Sequence, residues 1–137
     1  MNTGTSGPSL QILPEGYAIC RLAADAAVPQ WAQRRNTSFT SVTRTSDELS
    51  ILCPEEWMPE CLPGERGWRG LRVVGSMDFN VTGVAAALTN PLAQAGIPLL
   101  LVATFDTDYV FVRDDGLHAA CRALLTAGCR IEGKEHP

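Results

Sequence analysis

Two short apolar runs separated by a polar turn constrain the fold of this chain more than any other feature. The runs are Leu99–Ala103 and residues 109–112, and the polar residues 104–108 lie between them. Aliphatic, β-branched and aromatic runs of this length, bounded by turn residues, are typical of two strands joined as a hairpin. The sequence therefore predicts an antiparallel strand pair with hydroxyl and carboxylate side chains at its tip.

An amphipathic helix is predicted before this hairpin, at about residues 82–95. Leu88 and Leu92 recur at helical spacing, so they would lie one above the other on the same face. Pro91 falls inside the helix, where it removes a backbone donor and is expected to kink it. Gly96 is a typical left-handed terminator.

A second helix is predicted after the hairpin, at about residues 114–127, with Asp114 as its N-cap and Gly128 as its terminator. Its apolar residues fall at helical spacing and predict one buried stripe. They are Leu117, Ala120, Cys121, Leu124 and Leu125. Further strands are expected at residues 68–78 and 129–132, so the order from residue 68 is βαββαβ. This is the split βαβ, ferredoxin-like arrangement.

The first half of the chain predicts a shortened version of the same order. A strand is expected at residues 17–22, a short helical turn within residues 25–31, and a hairpin made of residues 39–43 and 49–53. The first half therefore reads as a truncated copy of the second.

Aligning the two predicted hairpins places Leu49 where Asp108 lies, so the first copy lacks the carboxylate. We therefore predict an α+β protein made of two related modules. The predicted divisions are a flexible N-terminal tail at residues 1–13, the truncated module at 14–62, the βαββαβ module at 63–133 and a tail at 134–137.

The charge of the chain argues against nucleic acid as a partner. The net charge is −4 and the isoelectric point is near 5.1, with the basic residues scattered along the chain. Nucleic acid binding favours clustered lysine and arginine. No apolar run approaches the roughly 20 residues that span a bilayer, and the N-terminus lacks the basic start and apolar core of a secretory signal. The sequence therefore predicts no membrane partner.

The cysteines and histidines predict neither a metal site nor a catalytic site. The cysteines are Cys20, Cys53, Cys61, Cys121 and Cys129, an odd number without C-x-x-C spacing. This usage is typical of reduced, mostly buried thiols in a cytoplasmic protein. His118 and His136 have no second ligand pair nearby, so no metal is expected. No Ser-His-Asp order, G-x-S-x-G motif or phosphate loop occurs, so no catalytic residue and no cofactor is assigned.

Three segments carry a more specific signal: MDFNVTGV at residues 77–84, PLAQAGI at residues 91–97 and TFDTDY at residues 104–109. In this order and spacing they resemble the small bacterial tandem ACT-domain proteins. That family is similar to the regulatory domains of aspartate kinase and to the Castor arginine sensors. Residues 49–56, which end in CPEE, are similar to the family's first module, and the resemblance covers roughly residues 17–132.

The resemblance implies a ferredoxin-like ACT fold preceded by a truncated ACT-like module. It also implies binding of an amino acid or another small metabolite without catalysis. Thr104, Phe105 and Asp108 match the Thr-Phe-x-x-Asp ligand motif of the sensors. Residues 80–84 match the glycine-containing loop at the start of the helix. The sensors have an acidic residue and a proline before that glycine where this chain has residues 81–82 (VT), which argues against arginine as the ligand because a guanidinium favours paired carboxylates.

The residue types at this site suit a zwitterion. Asp108 offers a negative charge to an ammonium group, and the free amides at the start of the first helix favour a carboxylate. Gly83 allows the ligand to approach the backbone closely, because it has no Cβ. The predicted ligand-binding residues are Asn80, Val81, Thr82, Gly83, Val84, Thr104, Phe105, Thr107 and Asp108.

A structural interpretation of the same residues stays open at this point. Asp106 and Asp108 are typical turn formers, and Asn80 or Thr82 would serve as a helix cap without any ligand.

The favoured hypothesis for function is a non-catalytic sensor or regulatory protein that binds an amino acid-like ligand, as a homodimer. The homodimer is expected because a truncated first module leaves a sheet edge and apolar surface for a second copy to cover. One alternative is a dimerisation or protein-interaction module without a ligand. A less favoured alternative is a small cysteine-dependent enzyme, because Cys53 or Cys121 as a nucleophile would need a nearby base.

Overall fold

Strands and helices form from the segments whose apolar patterns predict them. The computed structural model of the chain describes residues 7–74 and 83–136. Within these residues the strands are β1 (Ser9–Leu22), β2 (Ser41–Arg44), β3 (Leu49–Pro54), β4 (Glu65–Val73), β5 (Leu99–Ala103), β6 (Asp108–Arg113) and β7 (Arg130–Glu132). The α-helices are α1 (Val84–Gln94) and α2 (Leu117–Thr126), and short 3₁₀ turns cover Gln30–Ala32, Glu55–Trp57 and Asp114–Gly116.

The chain divides into two compact units. The smaller unit is Glu15–Trp68, and the larger unit combines Met1–Pro14 with Arg69–Pro137. In sequence, the smaller unit is therefore an insertion within the larger one. The boundaries pass through β1 and β4, so both strands contribute residues to both units. The sequence predicts two modules that follow one another along the chain. In the structure, the residues before Glu15 belong to the larger unit.

The larger unit has the strand order β7-β1-β4-β6-β5, with β1 and β7 parallel and β5 and β6 antiparallel. Both α-helices bury apolar residues in the same core as alternate residues of β1, β4 and β6. The fully or nearly buried members of this core include Leu10, Ile12, Leu71, Val73, Leu88, Leu92, Val110, Val112, Leu117 and Leu124. The predicted βαββαβ order from β4 to β7 is confirmed.

The first strand begins earlier than its predicted start at residue 17. It begins at Ser9, and Leu10, Ile12 and Leu13 are buried. The described part of the predicted flexible tail is thus largely strand, because these residues complete the core of the larger unit. In the segment after β7, the carbonyls of Lys134 and Glu135 accept hydrogen bonds from a buried arginine.

The smaller unit has the strand order β2-β3-β1-β4, with β3 antiparallel to both of its neighbours. The predicted hairpin at residues 39–53 is confirmed as β2 and β3. The core of this unit packs residues of β1 and β3 against Trp57 and Met58. Glu15 holds a loop to the first strand, because its carboxylate accepts hydrogen bonds from the Tyr17 hydroxyl and the Ser38 amide at 2.9 Å each.

Two details of α2 differ from prediction. Asp114 lies in a 3₁₀ turn, so Gly116 and not Asp114 is the N-cap. Leu125 is 52% exposed, although it was expected in the buried stripe. At 100° per residue, Leu125 lies about 80° around the helix axis from Leu117, which turns it away from the core.

The ends of α1 agree with prediction where they are described. Pro91 lies inside the helix, and Gly96 adopts a φ of +72° beyond its C-terminal end. The predicted capping residues Asn80 and Thr82 lie outside the described residues. None of the helices in the described part of the chain has the length and hydrophobicity to cross a membrane.

Candidate ligand site

The tip of the β5–β6 hairpin is closed by Thr104. Its amide donates to the carbonyl of Thr107 at 2.8 Å, and its hydroxyl donates to the same carbonyl at 3.0 Å. The hydroxyl also accepts from the Thr107 amide at 3.2 Å. Thr104 therefore shapes the turn through backbone contacts, and its role toward a ligand stays a prediction.

Thr107 anchors the hairpin to the neighbouring strand. Its hydroxyl is buried and donates to the carbonyl of Val73 at 2.8 Å, at the end of β4. Because a buried carbonyl without a donor is costly, this bond fixes where β6 begins relative to β4. The Thr107 hydroxyl proton is thus already used in a hydrogen bond within the protein.

Asp108 is the first residue of β6, opposite Ala103 in the ladder, and it is only 9% exposed. Its carboxylate makes no side-chain hydrogen bond or ion pair within residues 7–74 and 83–136. Taking an ionised carboxylate out of water without a partner is unfavourable. The site therefore holds a negative charge that would gain from a cationic partner. By contrast, Asp106 is exposed at the tip and Phe105 is 81% exposed.

The start of α1 has a glycine at its cap position. Gly83 is the N-cap, with a φ of +86°, and no side-chain cap hydrogen bond to the helix is found within the described residues. The helix begins with a bond from the Ala87 amide to the Gly83 carbonyl at 2.9 Å. A Cβ at Gly83 would have open space around it, so its left-handed backbone and not crowding favours glycine here. Of the predicted loop, Asn80, Val81 and Thr82 lie outside the described residues.

The start of β6 lies beside the end of β4, because the Thr107 hydroxyl contacts the carbonyl of Val73. The hairpin therefore brings Thr104, Thr107 and Asp108 together. Val84 is half-buried and packs against the core of the larger unit. That Gly83 and Val84 complete one site with Asp108 stays a prediction.

Burial disfavours the thiolate form of the two cysteines that were considered as nucleophiles. Burial, with a smaller effect of the neighbouring Cys20, raises the pKa of Cys53 to about 11. Burial, followed by the negative charge of Glu135, raises the pKa of Cys121 to about 11. Since the thiolate is the nucleophile, these shifts disfavour cysteine chemistry near neutral pH. In the described residues, no group of three or more His, Cys, Asp and Glu side chains is placed to hold a metal ion.

Sequence reasoning missed Arg69, which is buried to 2% exposure in β4. The signal was present, because Arg69 alternates with Leu71 and Val73, both of which face the core. An arginine in the register of a buried face is an informative exception.

Two family models together match most of the chain. The ACT domain model matches residues 64–126, and a model described as an N-terminal domain matches residues 15–61. The second match corresponds closely to the smaller unit, Glu15–Trp68.

Relatives of known structure support the same assignment. The crystal structure of an Agrobacterium tumefaciens protein is 35% identical, covers 96% of this chain and 97% of that chain, and has a TM-score of 0.87. The regulatory subunit of aspartate kinase from Thermus thermophilus, in a ligand-free form, is 14% identical with a TM-score of 0.56, covering 85% of this chain and 96% of that chain. The second likeness shows the fold alone.

A curated human protein, the cytosolic arginine sensor for mTORC1 subunit 1, is 26% identical over 103 residues. The match covers 67% of this chain and 31% of that protein, so the chain spans about a third of the length of this relative. The fold is thus the ferredoxin-like fold of ACT domains, and residues 64–126 match the ACT domain model.

Proposed function

We propose that this protein is a non-catalytic regulatory ACT protein that binds an amino acid-like ligand as a cytoplasmic homodimer. The observation that carries the proposal is Asp108, whose side chain is nearly buried at the start of β6 and makes no side-chain hydrogen bond or ion pair in the described residues.

The ligand chemistry follows from the two ends of the site. An ammonium group pairs with Asp108, and a carboxylate lies at the backbone amides of the first turn of α1, which starts at Val84 and where the helix dipole favours an anion. Gly83 leaves open space for the ligand to approach the backbone. The proposed contacts are those predicted from the sequence: Asn80, Val81, Thr82, Gly83, Val84, Thr104, Phe105, Thr107 and Asp108.

Arginine is not the favoured ligand. The human relative is described as an arginine sensor. In this chain, however, Val81 and Thr82 precede Gly83, and neither carries the carboxylate that a guanidinium fork would favour. We therefore propose an amino acid whose side chain is not a guanidinium.

Isothermal titration calorimetry with each of the twenty common amino acids tests this proposal. We expect at least one of them to bind, and we expect Asp108→Asn to weaken it about tenfold or more through the loss of a charge-assisted bond. Asp106→Asn is the matched control, because it removes the same charge from the exposed tip two residues away. Silence from the whole panel, or equal affinity in Asp108→Asn, would refute the proposal.

The homodimer rests on β5. This strand is last in the strand order of the larger unit, and Leu101 on it is 43% exposed. An apolar strand at a sheet edge favours pairing with another chain. Sedimentation velocity should show a dimer that Leu101→Lys weakens; a monomer at micromolar concentration would contradict this part of the proposal. A dimer that binds no ligand would favour the alternative of an interaction module.

A further inference from the structure

Arg69 is a buried charge with little opposite charge around it. The side chain is 3% exposed, and the acidic side chain beside it in the described structure is Asp114, whose Oδ1 lies 3.6 Å from Nη1 and which is 65% exposed. An ionised group taken out of water needs a well-placed counter-charge and hydrogen bonds on all its donors. This guanidinium has an incomplete set of both.

Backbone carbonyls take most of its donors. Nη1 donates to the carbonyl of Glu135 at 2.6 Å, and Nη2 donates to the carbonyls of Lys134 and Leu13 at 3.3 Å each. Nε is buried and has no hydrogen-bond partner within the described residues. Carbonyls carry only partial negative charge, so they leave the charge of Arg69 mostly uncompensated.

Residues 133–136, called the clasp segment here, are held in place by two other contacts. Gly133 has a φ of +107°, and a Cβ there would lie 3.0 Å from the carbonyl oxygen of Ile12. The Glu135 carboxylate lies 2.9 Å from Nδ1 of His118 at the start of α2. The clasp segment is therefore positioned over Arg69 by its own backbone and by a side-chain contact.

The two carbonyls of the clasp segment accept hydrogen bonds from the two terminal nitrogens of Arg69. They belong to consecutive residues, and each accepts from a different terminal nitrogen of the same guanidinium. Paired acceptors on the guanidinium fork are the arrangement that arginine favours with carboxylates, where the bonds are also charge-assisted.

We propose that Arg69 is a latent carboxylate-binding residue, and that the clasp segment occupies its site until it is displaced. The ligand is a carboxylate, supplied by a small organic acid or by the C-terminal end of a peptide. This site is distinct from the one at Asp108. Arg69 and Val73 are four residues apart on β4, which places the two sites about 13 Å apart along the strand.

Releasing the clasp segment tests the proposal. Gly133→Val keeps the chain length but strains the left-handed backbone and meets Ile12, and a chain ending at Glu132 removes the segment altogether. Thermal unfolding is measured against sodium acetate and sodium citrate, with sodium chloride at equal ionic strength as reference. We expect a saturable rise in Tm with the carboxylates in at least one released variant, and an apparent affinity at least about tenfold weaker in the unmodified chain.

A second substitution assigns the response to Arg69. In the released background, Arg69→Met should weaken carboxylate binding about tenfold or more, whereas Arg72→Met should not. Arg72 is the matched control because it lies on the same strand, is more exposed and donates to the Gln11 side chain at 3.1 Å. A peptide with a free C-terminal carboxylate, compared with its amidated form, separates a peptide ligand from a small acid.

Two results would overturn the proposal. A folded released variant that shows no saturable response to acetate, citrate or the peptide makes the Arg69 contacts structural only. An equal response after Arg69→Met places the anion elsewhere. If the shortened chain fails to fold, Gly133→Val decides the question, with tryptic cleavage after Lys134 reporting release. A segment that stays resistant to cleavage while no carboxylate binds also counts against a displaceable clasp.

Discussion

The hairpin of the smaller unit and the hairpin of the larger unit are built alike but begin their second strands with opposite residues. In β2–β3 the Thr45 amide donates to the Glu48 carbonyl at 2.9 Å, and in β5–β6 the Thr104 amide donates to the Thr107 carbonyl at 2.8 Å. The next residue starts the strand in each case: Leu49, opposite Arg44, and Asp108, opposite Ala103.

The likeness continues after the strands. Both β3 and β6 have six residues, and a three-residue 3₁₀ turn follows each of them. The same local frame therefore holds a fully buried leucine in one unit and a nearly buried aspartate in the other. The frame does not require the carboxylate, so the carboxylate at Asp108 calls for an explanation beyond the fold.

The largest expected effect comes from placing the acid in the smaller unit. Leu49 is 0% exposed and belongs to that unit's core. Leu49→Asp should lower the free energy of unfolding by about 4–5 kcal/mol, because it removes apolar packing and buries an unpaired charge. Urea denaturation measures this. A loss below about 1 kcal/mol would mean that this frame accepts an acid without functional cause.

Removing the hydrogen bond from Thr107 that anchors the β5–β6 hairpin should lower the free energy of unfolding by a smaller amount. Thr107→Val keeps the side-chain shape but leaves the Val73 carbonyl without its hydroxyl donor. We expect a loss of about 1–2 kcal/mol in urea denaturation. Glu48→Gln, at the matching position of the smaller unit, should change stability by less than about 0.5 kcal/mol. Equal losses in the two variants would contradict the assigned role of Thr107.

Replacing the acid by its counterpart in the other hairpin should stabilise the protein. Asp108→Leu removes a buried carboxylate that has no side-chain partner in the described residues, so we expect a gain of about 1 kcal/mol together with loss of ligand binding. Thermal unfolding and calorimetry on the same variant measure both. A loss of stability would show that Asp108 serves the fold.

The smallest expected effect concerns pH and separates the loop anchors of the two units. Burial raises the pKa of Glu15, but hydrogen bonds, led by that from the Ser38 amide, outweigh it and lower the pKa from its ordinary 4.5. The resulting stabilisation is present above pH 4.5 and is lost as pH falls through the lowered pKa. Thr107, the anchor of the larger unit, does not titrate in this range. Glu15→Gln should therefore flatten the acid side of the stability profile, and an unchanged profile would contradict this.

Most of the fold follows from apolar periodicity, because the buried residues of α1, α2 and the two hairpins recur at helical or strand spacing. Residues 9–13 were harder to predict, since a short segment that completes a sheet far along the chain has no local signal for its partner. Leu125 shows where extrapolating a buried helix face fails. Eight residues after Leu117, the side chain no longer points toward the core. Gly116 replaces Asp114 as N-cap because a 3₁₀ turn precedes α2.

The candidate site was predictable in part. The sequence identifies Asp108 and Gly83 by residue type, but it does not reveal that the Thr104 and Thr107 hydroxyls are engaged by backbone groups. The alternation with Leu71 and Val73 marks Arg69 as a residue of the buried face, but the sequence does not reveal what the guanidinium contacts, since those groups include residues 45 or more positions away.

Because β1 contributes residues to both units, it determines which fragments of this protein can be expected to fold. Because Ser9–Gln11 pair with Arg130–Glu132, a fragment that starts at residue 63 would lose a central strand and leave β7 without its partner. Arg69 donates to the carbonyl of Leu13, so the two ends of the inserted unit adjoin. Excising residues 15–68 and closing the gap with a tight turn is therefore the cut that should yield an independently folding ACT domain.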